Sequence, residues 1–160
     1  MKKRLLLLVL FAAFYAHARI SFAEQRVLSW LLENSNKYLT GDSSVCDNYA
    51  DDVEVSIIAK APRGTWQVEG GKAELCGYLK QSSAALIVMQ ASTNTAFSKV
   101  RIEPGPFPWM QAKVSYTEKT TMQMAGLPPV NALGENALVL VRTFSGLKIK
   151  SLESRSTGGF

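Results

Sequence analysis

Two ionisable residues stand at positions where an alternating strand pattern calls for apolar ones. With a period of two, Glu118 shares a strand face with Val114, Tyr116 and Met122, and Arg142 interrupts the series Leu138, Leu140, Phe144. A carboxyl on such a face can act as a general acid or base, or anchor a bound molecule. The bland alternatives are a glutamate turned outward beyond a bulge, or a surface ion pair. An inward arginine needs a carboxylate or a ligand anion, because an unpaired buried charge costs several kcal/mol. At a strand edge it can instead snorkel to water. Hairpin geometry makes Glu118 the nearest partner for Arg142, and such a partner lowers a carboxyl's pKa and weakens it as a base near neutral pH.

Trp30, Trp66, Trp109, Tyr78 and Tyr116 either line an apolar ligand cavity or simply fill the core. Asp51 and Asp52 are adjacent acids at a strand start, where solvation explains them without chemistry. Cys46 and Cys76 are the two cysteines, and they form no CxxC spacing of the redox type.

The beginning of the chain limits the available chemistry. Lys2, Lys3 and Arg4 precede an apolar run from Leu5 to Tyr15, and the small-residue site Ser21, Phe22, Ala23 follows: the three parts of a secretory signal peptide. The run is about half of the roughly 20 residues needed to cross a bilayer, so no stable membrane insertion is expected. Cleavage is expected after Ala23, with release to the periplasm or the medium. The sole histidine, His17, leaves with this leader, which excludes Ser-His-Asp and Cys-His nucleophilic sites and His-ligated zinc from the processed chain.

The leader also carries Lys2, Lys3, Arg4 and Arg19 out of a total of 18 basic and 13 acidic residues. The processed chain is close to neutral, so charge gives no argument for a nucleic-acid partner. Export and an even cysteine count favour a Cys46–Cys76 disulfide, the alternative being two buried thiols. A closed loop of about 30 residues corresponds to roughly 3.5 kcal/mol of chain entropy.

Apolar Val27, Trp30, Leu31 and Tyr38 recur at helical spacing over residues 26–38, and Asp42 is placed to cap a second short helix through Cys46. Val53, Val55 and Ile57 alternate as a strand that turns at Pro62, Arg63 and Gly64 into another through Trp66 and Val68. A long helix is predicted over residues 72–90, with Leu75, Leu79, Leu86 and Met89 on its stripe. Strands follow at 94–102, 109–122, 135–144 and 147–153. The apolar loop 123–134, with Met124, Leu127 and Val130, reads as a lid or contact surface, or as a cover over the open end of the sheet. Residues 154–160 read as a flexible polar tail.

Helices that precede most of the strands signal an α+β layer fold of one domain, residues 24–153. In this order, and in Tyr49-Ala50-Asp51-Asp52-Val53, Gly70-Gly71-Lys72 and the closing hairpin 137–153, the chain resembles the nuclear transport factor 2-like superfamily, which includes SnoaL-like cyclases and ketosteroid isomerase. The resemblance implies a curved antiparallel sheet wrapped around a long helix, in a cone with N-terminal helices. It also implies a pocket that in family enzymes carries an acid or base. Trp30, Trp66, Tyr78, Tyr116, Glu118 and Arg142 are the pocket candidates, and Glu118 would point into the cone.

The function expected is that of an exported binding module for an apolar small molecule or an exported protein, with no cofactor or metal. The alternatives are an isomerase or dehydratase using a pocket carboxylate, and an immunity or inhibitor-type partner protein. A homodimer through the sheet face is a further option that the resemblance implies.

Overall fold

Val27 and Leu31 lie one turn apart and are both buried, and they seat helix α2 (Glu24–Thr40) on one face of a six-stranded sheet. The computed structural model describes all residues except Met1, Arg63, Phe107, Ala125, Leu127 and Phe160, and all side chains of the others save those of Lys2, Lys3 and Leu5. The middle of the 62–64 turn, Leu127 of the apolar loop and the last residue of the expected tail therefore lie outside the described residues. Gly41 ends α2 at φ 71°, which lets the Asp42 amide reach the Lys37 carbonyl at 2.9 Å. A Cβ at Gly41 would come within 2.9 Å of Ile87 Cδ1.

The Asp42 carboxylate accepts the Ser44 amide at 2.8 Å, as its capping role requires, although the segment it caps is a single 3-10 stretch, Ser43–Asn48, rather than an α-helix. The chain then forms the hairpin β1 (Tyr49–Ala61) and β2 (Gly64–Gly70). Helix α3 (Lys72–Val88) follows, its first turn fixed by the Gly71 amide donating to Glu74 Oε2 at 2.9 Å. A Cys46–Cys76 disulfide, with Cα atoms 5.8 Å apart, ties the 3-10 stretch to α3.

Strands β3 (Ser92–Pro104), β4 (Gln111–Gln123), β5 (Val130–Thr143) and β6 (Gly146–Gly159) complete the sheet in the order β2-β1-β6-β5-β4-β3. Every pair is antiparallel except β1 with β6, which is parallel, so the sheet is mixed rather than wholly antiparallel. Bulges break the alternation, in β1 between Tyr49 and Glu54 and in β6 and β3. Leu140 pairs with Ile149 while Val139 pairs with Ser151, leaving Lys150 extra, so that Ile149 and Leu152 both pack on the core. In β3 the register shifts between Ser98 and Arg101, with Lys99 at φ 54°, and Phe97 and Ile102 both pack inward. Such insertions bend a strand and increase its twist.

Three expectations are corrected. Residues 154–159 are no loose tail: they continue β6 and pair with β5 on one side and β1 on the other. Polar, Gly-containing composition suggested fraying, but ladder bonds on both edges hold a strand whatever its side chains. Strand β5 begins at Val130, which shortens the expected loop to residues 124–129. Trp109 precedes β4 at φ 55°, in a turn where its amide donates to the Pro106 carbonyl at 2.9 Å.

Helix α1 (Lys2–Ser21) covers most of the segment expected to be a leader. Its outer half is bare, with Leu6, Leu7 and Leu8 all more than 60% exposed, whereas Ala18, Ser21 and the following Phe22 are buried. Among the described residues no single helix is long and apolar enough to cross a membrane.

Candidate functional site

The inner face of β4 carries Ala112, Val114, Tyr116, Glu118, Thr120 and Met122 in alternation, and its character changes along the strand. Ala112 and Val114 are 1% exposed and belong to the core. Beyond Tyr116 the face opens onto a partly open cavity of about 360 Å3 bordered by α2, α3, β3 and β4. Helix α2 contributes Ser35, Tyr38 and Leu39; α3 contributes Tyr78, Ser82, Ala85 and Leu86, and Met89 follows just past its end. The sheet contributes Thr93 and Thr95 with Glu118, Thr120 and Met122.

Glu118 is half-buried and held by neutral groups. Thr120 Oγ1 donates to its Oε1 and Asn136 Nδ2 to its Oε2, each at 3.3 Å, and the Thr95 and Thr120 hydroxyls meet at 3.2 Å. Burial pushes the Glu118 carboxyl above its ordinary value, and the two hydrogen bonds only partly oppose this. Tyr116, packed edge-on to Phe97 at 5.3 Å, is raised by burial and then by the charge of Glu118. Burial raises Tyr78 to about 12, with Tyr38 nearby and hydrogen-bonded to it. The outer side of Tyr78 is covered by Trp66, ring centroids 4.5 Å apart.

Arg142 is elsewhere. The β4–β5 register sets Glu118 opposite Gly134, eight residues along β5 from Arg142, or roughly 25 Å at about 3.3 Å per residue. The expected Glu118–Arg142 pair does not form, because hairpin logic identified the right strands but could not supply their register. The Arg142 guanidinium instead faces helix α1, with Nη1 at 2.8 Å from His17 Nδ1, the Phe14 ring centroid 5.0 Å away and Met110 Sδ accepting from Nη2 at 3.3 Å. It lines a second, larger groove of about 1030 Å3, together with Trp30, His17 and Met110. Phe11 and Tyr15 of α1 stack edge-on against Trp109 beside it.

The sequence candidates thus divide. Tyr78 and Glu118 share the cone cavity, Tyr116 and Trp66 back it, and Trp30 and Arg142 belong to the groove beneath α1. Asp51 and Asp52 are exposed and bound to Lys72 at 2.7 Å and Lys150 at 3.4 Å, which makes them solvated strand ends. Tyr38, Thr120 and Asn136 were missed as site residues. Thr120 is two residues from Glu118 and so on the same face, and Asn136 breaks the Leu138, Leu140 alternation as visibly as Arg142 does. Among the described residues that line the cavity, Glu118 is the sole carboxylate and no lysine or arginine appears.

No family model matches the chain, and no curated protein matches it by sequence. Solved structures do match in shape. A nuclear transport factor 2-like protein with a cystatin-like fold from Novosphingobium aromaticivorans superposes with a TM-score of 0.61 at 13% identity, covering 91% of this chain and 86% of that one. A candidate scytalone dehydratase from the same organism gives 0.64 at 16% identity, over 82% and 81% of the two chains. The yeast Ubp3-associated protein Bre5 gives 0.57 at 14% identity, over 81% and 92%. The chain has the nuclear transport factor 2-like fold, as the resemblance implied.

Proposed function

We propose that this nuclear transport factor 2-like domain is an exported binding module that holds a small, largely apolar molecule in its cone cavity, with Glu118 as the polar anchor. The reading rests on one observation: a carboxyl on the inner face of β4 opens onto a half-open cavity walled by Tyr38, Tyr78, Leu86 and Met122, with only neutral hydrogen-bond partners among the described residues. Convergence of a few polar groups in an otherwise apolar cavity is the usual form of a small-molecule site. The disulfide and the leader sequence support release into an oxidising compartment after cleavage at Ala23. A protein partner is the other kind of occupant weighed for the module, and a second copy would join through the outer sheet face.

The test is ligand screening by protein-observed NMR on the chain starting at Glu24. Amide shifts grouped on Tyr38, Tyr78 and Thr120 are expected, and their loss in Ala85→Trp, which adds a large ring to the cavity lining, follows from the same reading. A folded protein whose cavity amides answer to no small molecule would overturn it.

The buried carboxyl favours a second reading as an acid–base enzyme. A glutamate raised by burial and free of a cation is suited to proton transfer, and Tyr78 could serve as a hydrogen-bonding partner to the reacting molecule. The likeness to a candidate dehydratase is one of fold. Turnover of isomerase or dehydratase substrates that vanishes in Glu118→Gln would establish this reading in place of binding alone.

A further inference from the structure

We propose that the cone cavity selects a small organic cation, an amine carried on an apolar or aromatic body, and rejects carboxylates. This rests on the binding reading above and names the chemistry of the ligand.

Charge balance within the cavity carries the argument. Glu118 receives one hydrogen bond at each oxygen, both from neutral groups and both at 3.3 Å, longer than such bonds usually are. A carboxylate withdrawn from water without a counter-ion is costly, and nothing lining the cavity among the described residues supplies one. The cation that the sequence offered, Arg142, lies at the far end of β5. The counter-charge is therefore missing from the wall of a space large enough to admit one.

The rest of the lining suits the same guest. Tyr38 and Tyr78 bring aromatic rings, whose faces attract cations, and Met89 and Met122 bring polarisable thioethers. Hydroxyls of Ser35, Ser82, Thr95 and Thr120 offer acceptor lone pairs to the remaining N–H groups of an ammonium. An anionic guest would meet Glu118 as a like charge with no donor cation to offset it. The volume of about 360 Å3 is at the small end of the range for ligand cavities, roughly 300 to 1,000 Å3, which favours a one-ring molecule.

Three probes of one shape separate the possibilities: 2-phenylethylamine, 2-phenylethanol and phenylacetate, titrated by NMR into the full chain. The amine is expected to bind about tenfold or more tightly than the alcohol, as a charge-assisted hydrogen bond does against a neutral one, and phenylacetate to give no cavity shifts. Glu118→Gln, checked for folding by its amide spectrum, should bring amine and alcohol to equal affinity. If the alcohol binds as well as the amine in the wild type, or phenylacetate binds in the cavity, the charge selection is wrong while the cavity reading stands. If none of the three shifts the cavity amides, the cation proposal falls, and the wider screen then decides the cavity reading by itself.

Discussion

Asn136 Nδ2 donates to Glu118 Oε2 at 3.3 Å from the neighbouring strand β5, two residues along from the directly opposed Gly134. This neutral amide occupies the place that alternation alone would assign to a guanidinium. The substitution reverses the electrostatics: an arginine would hold the carboxyl low, whereas burial beside an amide and a hydroxyl leaves it raised.

Stability against pH should show that reversal. Between the ordinary glutamate value of 4.5 and the raised folded value, the folded state keeps a proton that the unfolded chain has lost. Unfolding then releases a proton, and stability from this group falls as pH rises through that window. Burial raises the neighbouring Tyr78 and Tyr116, so they stay neutral there, and Thr120 and Asn136 carry no charge. Urea unfolding from pH 4 to 8 is expected to show Glu118→Gln gaining on the wild type as pH rises. A constant difference across the range would contradict the raised carboxyl.

Reducing the disulfide, or making Cys46→Ser with Cys76→Ser, is expected to cost about 3.5 kcal/mol, the chain entropy of a loop spanning 30 positions. Denaturant titration with and without reductant measures it. Two alkylatable thiols in protein taken from an oxidising compartment would refute the bridge.

Arg142 makes contacts to His17 and Phe14 of α1, so they exist only while residues 1–23 are attached. Arg142→Ala should therefore destabilise the full chain by about 1 kcal/mol through the lost hydrogen bond and cation–π contact, and the chain starting at Glu24 by less than about 0.5 kcal/mol. Intact mass of the exported product, expected to begin at Glu24, shows which form persists. Equal losses in the two chains would place the work of Arg142 within the domain.

Removing residues 154–160 tests the corrected tail. A frayed tail could be cut at no cost, but residues 154–157 bridge β5 and β1, joining the two halves of the sheet. Truncation after Glu153 is expected to lower stability by several kcal/mol, or to abolish the cooperative transition, because it leaves ladder groups on both neighbours unpaired. An unchanged melting curve would refute the central strand.

What the sequence by itself determined was local. Helical recurrence placed Val27 and Leu31 on a buried stripe, Asp42 announced its cap, and the period of two put Glu118 and Met122 on one face. The absence of histidine beyond residue 17 bounds the chemistry of any chain released at Ala23, whatever the fold. These follow from spacing along the backbone, where the geometry of a turn or a pleat is fixed within a few residues.

Only the tertiary structure decided which of these faces meet. The register of β4 on β5 separated Glu118 from Arg142 and gave it Asn136. The bulges at Lys150 and near Lys99 shifted the alternation partway along β6 and β3. The parallel pairing of β1 with β6 turned an apparent tail into the centre of the sheet. Each is a relation between segments distant in sequence, set by which arrangement buries the most apolar surface while pairing the backbone, and no local pattern encodes it.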